Sequence, residues 1–491
     1  MLAKILSGKK VSNTSSVQKQ AAFMDRPKGI FNVGYRYSED GYALPSVLLL
    51  ITILALLASS LLSFLFLHTE LVHRRVEQTA TEYAAQNGIT SALASSFNTP
   101  ADDLFAATTH NTTIAFDDGS RSTVSLIPWG AFMLIHSTGA TKHATSERFA
   151  LAGALPGSRF DNAVILANTE HQLVFAGSSQ IKGNVIVGPY GATVGSIPGA
   201  PTPHSLPVTG SVTKTSTAAA SLFDERFLQR NVAMMKALFT KKRREDISDS
   251  QTWIVNGGEK GVYAIPSIPD SIEYVFIVGN AVLDNTITRR GPPLYLIVRG
   301  SLLLRDHCSL QGSIALLSTE AIQIPASAQF IDAILFSFTS IDVASTAHLS
   351  AQIISPRITL HSGAVASYPS VLISLHLDTA SHAAQQIVME KGSRVEGTVM
   401  MLQENADDNM PDCLQLMPRA TVVGLVYSQG KTTLDGTVIG SVVTRSFYFY
   451  EAPTTYIDWL RSGLVDRTAL PKSFLLPLGF DSQRYQVIDW L

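Results

Sequence analysis

The run from Ala43 to Leu67 places 25 consecutive residues without a charge near the start of the chain. As a helix rising ~1.5 Å per residue, that run exceeds the ~30 Å hydrocarbon core of a bilayer. The stretch LLLITILALLASSLLSFLFL is apolar on every face, whereas a helix at the surface of a soluble core keeps a polar stripe. The sequence therefore predicts a single membrane-spanning helix, and no later segment repeats the pattern. Seven Lys/Arg precede the run, from Lys4 to Arg36, while only Arg74 and Arg75 follow it closely. Positive charge stays on the cytoplasmic side, so the N-terminus is expected in the cytoplasm and the bulk of the chain outside it.

Helical composition continues from Glu70 to Ser95 with no breaker before Gly88, so the helix is expected to run on beyond the membrane. At its start stands Gly41-Tyr42-Ala43-Leu44-Pro45-Ser46-Val47, a glycine followed by an aromatic residue and a long apolar helix. This junction resembles the type IV prepilin and pseudopilin signal. The resemblance implies cleavage between Gly41 and Tyr42 by a prepilin peptidase, a place in the bacterial inner membrane, and assembly with other pilin-like subunits. The family usually carries Glu at the fifth mature residue, and this chain has Ser46 there. Minor members at a filament tip can lack that Glu, since no earlier subunit has to be docked against it.

Charge balance excludes one partner class. With 37 Lys+Arg against 39 Asp+Glu, no domain carries the positive excess that nucleic-acid binding needs. Two cysteines, Cys308 and Cys413, make neither a disulfide framework nor a zinc site, and their distance along the repeat described next predicts that they stay unpaired. No cofactor or metal is expected.

Between Asn111 and Leu155, short β-prone runs alternate with turn signals such as Asp118-Gly119 and Trp129-Gly130, predicting a small antiparallel module over 101–158. A long helix followed by such a meander is similar to the pilin fold. Beyond residue 160 a pentad recurs, hydrophobic-x-small-x-hydrophobic: Ile181–Val185, Leu310–Ile314, Leu349–Ile353, Val395–Val399, Val422–Val426 and Leu434–Val438. Phe330–Ile334 fits with Asp332 in the small place. The central residues 312, 332 and 351 lie 20 and 19 apart, which sets a rung of about 19 residues. Alternating apolar residues point one face inward, and a small residue between two short strands lets the chain bend. The fold class expected is therefore mainly β: a transmembrane helix, a small antiparallel module, a parallel β-solenoid over 159–446 and a C-terminal cap over 447–491. The rungs resemble the right-handed β-helices of bactofilin-like and polysaccharide-acting proteins.

The repeat is interrupted over 196–270 by prolines, a Ser/Thr-rich stretch and a predicted helix from Ser221 to about Arg244, ending in Lys241-Lys242-Arg243-Arg244. Little else suggests chemistry. Gly424 to Thr432 has five residues between its glycines where a phosphate loop needs four. His376, Asp378 and His382 lack a further ligand at metal spacing, and Asp332, Asp342, Arg305 and Arg394 fall at different rung positions. The expected function is non-enzymatic: a minor or tip pilin-like component of a type IV filament or related apparatus, structural or adhesive. Its partners would be membrane lipid, prepilin peptidase, pilin-like subunits and a surface polysaccharide or protein. The alternatives are a membrane-anchored β-helix enzyme acting on polysaccharide and a bactofilin-like tethered scaffold.

Overall fold

The computed structural model describes residues 43–96, 110–168, 170–216, 222–240, 247–256, 263–377, 385–402 and 413–491. Contacts divide the chain after Val72 into two compact units. In the first, the helix α1 (Ala43–Ser96) begins, and its apolar side chains are exposed on every side, from Leu44 to Val72. Among the described residues it is the one helix long and apolar enough to cross a membrane.

The second unit opens with the rest of α1 and an antiparallel sheet. Strands His110–Ala115, Arg121–Trp129, Phe132–Ala140 and Thr145–Pro156 pair in chain order, and the C-terminal strand Ser482–Trp490 adds beside the fourth. The expected cap is thus partly something else, because the last strand completes this head sheet.

Beyond it the chain forms a three-faced parallel solenoid. The first face stacks Ala281–Leu283, Leu302–Leu304, Ile322–Ile324, Ser340–Val343, Arg357–Leu360, Gln386–Met389 and Cys413–Leu416. The second and third faces come from longer strands bent at a corner, such as Ser309–Ser318, Gln329–Ser337 and His348–Ile354. The pentads lie across that corner. Leu310 and Ile314, Leu349 and Ile353, Val395 and Val399, and Val422 and Val426 all point into one continuous core. In Phe330–Ile334 the corner is a residue shorter, so Ala333 takes the inward place and Ile334 faces out. Leu434–Val438 straddles a different corner, and the place expected for Gly436 belongs to Gly440, which pairs with Gly424.

The order of rungs departs from the order of the chain. Strand Thr437–Glu451 is followed on the third face by Asn162–Leu166, then Asn184–Val187, then Val212–Lys214. One rung is a composite: Trp459–Leu460 and Leu464–Asp466 supply two faces, and Asn162–Leu166, about 300 residues earlier, supplies the third. Arg467 ties this junction, its Nε donating to Phe160 O at 2.6 Å.

The segment expected as an excursion is therefore a return path. Val212–Lys214 lies in the last rung and Thr252–Asn256 in the first, the latter pairing with Tyr274–Val278. Between them the helix α2 (Arg226–Ala237) lies along the third face. Phe223 meets Tyr427 near one end, and Phe239 meets Phe338 near the other. The third face is consequently buried on both sides. Its outward Tyr295, Ile297, Leu317, Phe336, Ile354, Ile373 and Tyr427 join α2 and the head sheet in a second core.

Candidate functional site

The α1 helix and the head sheet, the two elements whose succession the sequence likened to a pilin fold, pack directly against each other. From Thr81 onward α1 buries Thr81, Ala84, Ala85, Ile89 and Ala92, a stripe of mostly small residues at helical spacing. Small residues let the backbone itself approach the sheet. A Cβ on Gly139 would stand 2.0 Å from Thr81 O, and one on Gly88 would stand 2.0 Å from Ser122 Oγ. Beneath Gly88 the hydroxyls of Ser122 and Ser137 share a buried hydrogen bond of 2.7 Å. Sequence reasoning treated Gly88 only as a helix breaker. The signal for close packing was the pairing of a mid-helix glycine with Ser-rich strands.

The other face of the sheet is bolted to the solenoid at the turn Trp129–Phe132. Gln352, 4% exposed, accepts from Ala131 N at 2.7 Å through Oε1 and donates to Trp129 O at 3.2 Å through Nε2. Asn231 on α2 donates to Gly130 O at 2.6 Å. A buried amide that meets both a carbonyl and an N–H leaves no polar group stranded, which fixes the head against the rungs.

Gly41 and Tyr42 lie outside the described residues, as do Asp378, His382 and the basic run Lys241-Lys242-Arg243-Arg244. Gly424 to Thr432 runs as strand within Thr421–Leu434, with no helix after it. Asp332 takes a φ of +60° at the corner where other rungs have glycine, and Asp342 lies on the first face. Arg305 lies near Asp284 at 3.9 Å, and Arg394 pairs with Glu396 at 2.8 Å, so the structure does not bring these four together. Cys308 and Cys413 are both free and buried. Burial pushes the Cys308 thiol up to about 11 and raises that of Cys413.

One titratable group went unnoticed in the sequence. Asp458, its side chain fully buried, accepts from Asn168 Nδ2 at 2.7 Å and from Phe447 N at 3.1 Å, with His171 Nδ1 3.7 Å away. Burial outweighs these partners and lifts its carboxyl to about 6. It sits at the composite rung, linking the loop after Leu166 to the strand ending at Glu451.

No protein-family model matches the chain, and no curated protein does. Among solved structures, the competence-associated pilin ComZ from Thermus thermophilus is matched at 9% identity, over 84% of this chain and 97% of that one. The TM-score is 0.18, too low for the two backbones to share a superposable fold, so the match carries no argument.

Proposed function

We propose that this protein is a membrane-anchored, pilin-like subunit, a minor or tip component of a type IV filament or related apparatus. Its role is structural or adhesive. The observation that carries this reading is α1 itself. One 54-residue helix is apolar and exposed on all sides in its first half, and its later part is seated through small residues on an antiparallel sheet. A helix needed only for anchoring has no reason to continue into such a seat. The Gly41-Tyr42 junction at its start supports processing by a prepilin peptidase in the bacterial inner membrane, with the N-terminus cytoplasmic.

N-terminal sequencing of membrane-extracted protein tests the reading. The expected mature residue is Tyr42, and Gly41→Val is expected to leave the leader attached because a branched side chain crowds the peptidase site. An intact leader on the unaltered protein would reduce the helix to a plain anchor.

A further inference from the structure

The head meets the solenoid a second time at its last strand. Gln352, which holds the Trp129–Phe132 turn, pairs with Ile334, so the corner at Asp332 belongs to the rung next to that bolt, ~4.8 Å along the solenoid. On the head side, Met133 beside the turn pairs with Ala152, and Ala152 pairs with Val487. The strand Ser482–Trp490 therefore runs two strand spacings, ~10 Å, from the turn.

A bulge decides where that strand points. Tyr485 and Val487 line a groove with Leu93 of α1, so they face the helix. Strict alternation would turn Asp489 the same way. Instead the pairing with Thr145–Pro156 slips between Val487 and Asp489, and Asp489 falls opposite Leu151. Ala152 lines a cavity against Leu93, so its neighbour Leu151 faces the solenoid, and a residue paired with Leu151 faces the same way. The bulge thus re-aims one carboxylate from α1 toward the rungs.

On the solenoid side stands another carboxylate. Asp332 is half-buried at a φ of +60°, in the corner where Gly312 and Gly397 serve other rungs. Glycine would adopt this backbone angle without bringing a charge. Burial first, and then the Asp489 carboxylate, push the Asp332 carboxyl up to about 6, with no donor among the described residues to offset them. Asp489 is the one charged group among the described residues that acts on it.

We propose that Asp332 and Asp489 form a proton-controlled latch between the solenoid and the last strand of the head. With a proton on Asp332 the pair carries a single charge and the strand stays seated. When the proton leaves, two negative charges oppose each other at a half-buried corner, and the strand loosens from the edge of Thr145–Pro156. A carboxyl raised in the folded state holds its stability at low pH and loses it as pH rises through about 6, so the latch is closed in acid and slackens toward neutrality. It is independent of leader processing and of any filament role.

Hydrogen exchange on the full-length protein in detergent, corrected for the intrinsic pH dependence of amide exchange, tests the latch. Protection over Ser482–Trp490 should fall at least threefold from pH 5.0 to 7.5, while protection over Cys413–Leu416 stays level. Asp332→Asn, which tolerates the left-handed backbone, should abolish the fall, and Asp332→Gly serves if that variant fails to fold. Asp489→Lys replaces repulsion by attraction and should leave the strand better protected at pH 7.5 than in the unaltered protein. No fall in the unaltered protein, an equal fall over Cys413–Leu416, a fall that survives Asp332→Asn, or no gain from Asp489→Lys would each overturn the proposal.

Discussion

Gly397, Gly424 and Gly440 stack in register at one corner, each with φ between +144° and +150°. A Cβ on Gly424 would stand 1.9 Å from Gly397 O, so neither backbone angle nor space admits a side chain. Gly424→Ala should cost about 2–4 kcal/mol in chemical denaturation. Gly119→Ala, at φ +81° with nothing within 4 Å, should cost only about 1 kcal/mol. Asp458 makes a pH-dependent prediction. Its folded carboxyl titrates near 6 against 3.8 for the free group, so the folded state holds the proton more tightly. The stability this confers is fully present below about pH 3.8 and is lost as pH rises through 6, amounting to about 3 kcal/mol at most. Asn168, His171, Glu170 and the Phe447 N–H are the groups facing it. Melting temperatures at pH 4.5 and 7.5 should therefore show a decline in the unaltered protein that Asp458→Asn reduces. An equal decline in both would mean that these neighbours hold the carboxylate ionised without cost.

At the scale of single elements, inward and outward places alternate along each short strand. Ile322 is fully buried and Gln323 beside it is exposed. Ile322→Asp should unfold or severely destabilise the solenoid by leaving an unpaired carboxylate between rungs, while Gln323→Asp should cost only about 1 kcal/mol, from the like charge of its in-register neighbour Asp342. Equal melting of the two would reverse the facing of the strand. This alternation was legible because a period of two survives in any rung, and the helix was legible because 25 uncharged residues admit few other readings. Less visible was the corner serine column, where Ser318, Ser337 and Ser374 donate to Gly300 O, Glu320 O and Pro356 O. A lone serine after an apolar run looks like any strand end. Gly436 and Gly440 are hard to tell apart for a related reason: the rung joining Gly424 to Gly440 is only 16 residues long, and each glycine has an apolar residue two places away on either side.

The whole molecule is organised by contacts between distant parts of the chain. Nothing local in Asn162–Leu166 marks it as the neighbour of Thr437–Glu451, since any apolar strand could stack on any other, and so the order of the rungs was beyond the sequence. The same holds for the last strand, whose composition suited a cap as well as a sheet edge. Ending the chain at Asp481 would remove Ser482–Trp490 and bare the edge of Thr145–Pro156. Hydrogen exchange should then show lost protection over Thr145–Pro156 with protection retained over Leu310–Ile354. Loss in both regions would make head and solenoid a single cooperative unit.

The composite rung also sets a clock on biogenesis. Asn162–Leu166 emerges from the ribosome about 300 residues before the segments that share its rung. At roughly 5–20 residues per second, its edge waits on the order of 15–60 s for those segments to be made. Throughout that interval an apolar parallel strand has an unpaired edge, the state in which strands join the wrong neighbour. A chain stopped by a premature termination codon before Trp459 never supplies two faces of that rung, so the defect of a truncated chain surfaces at Asn162–Leu166, far from the missing end.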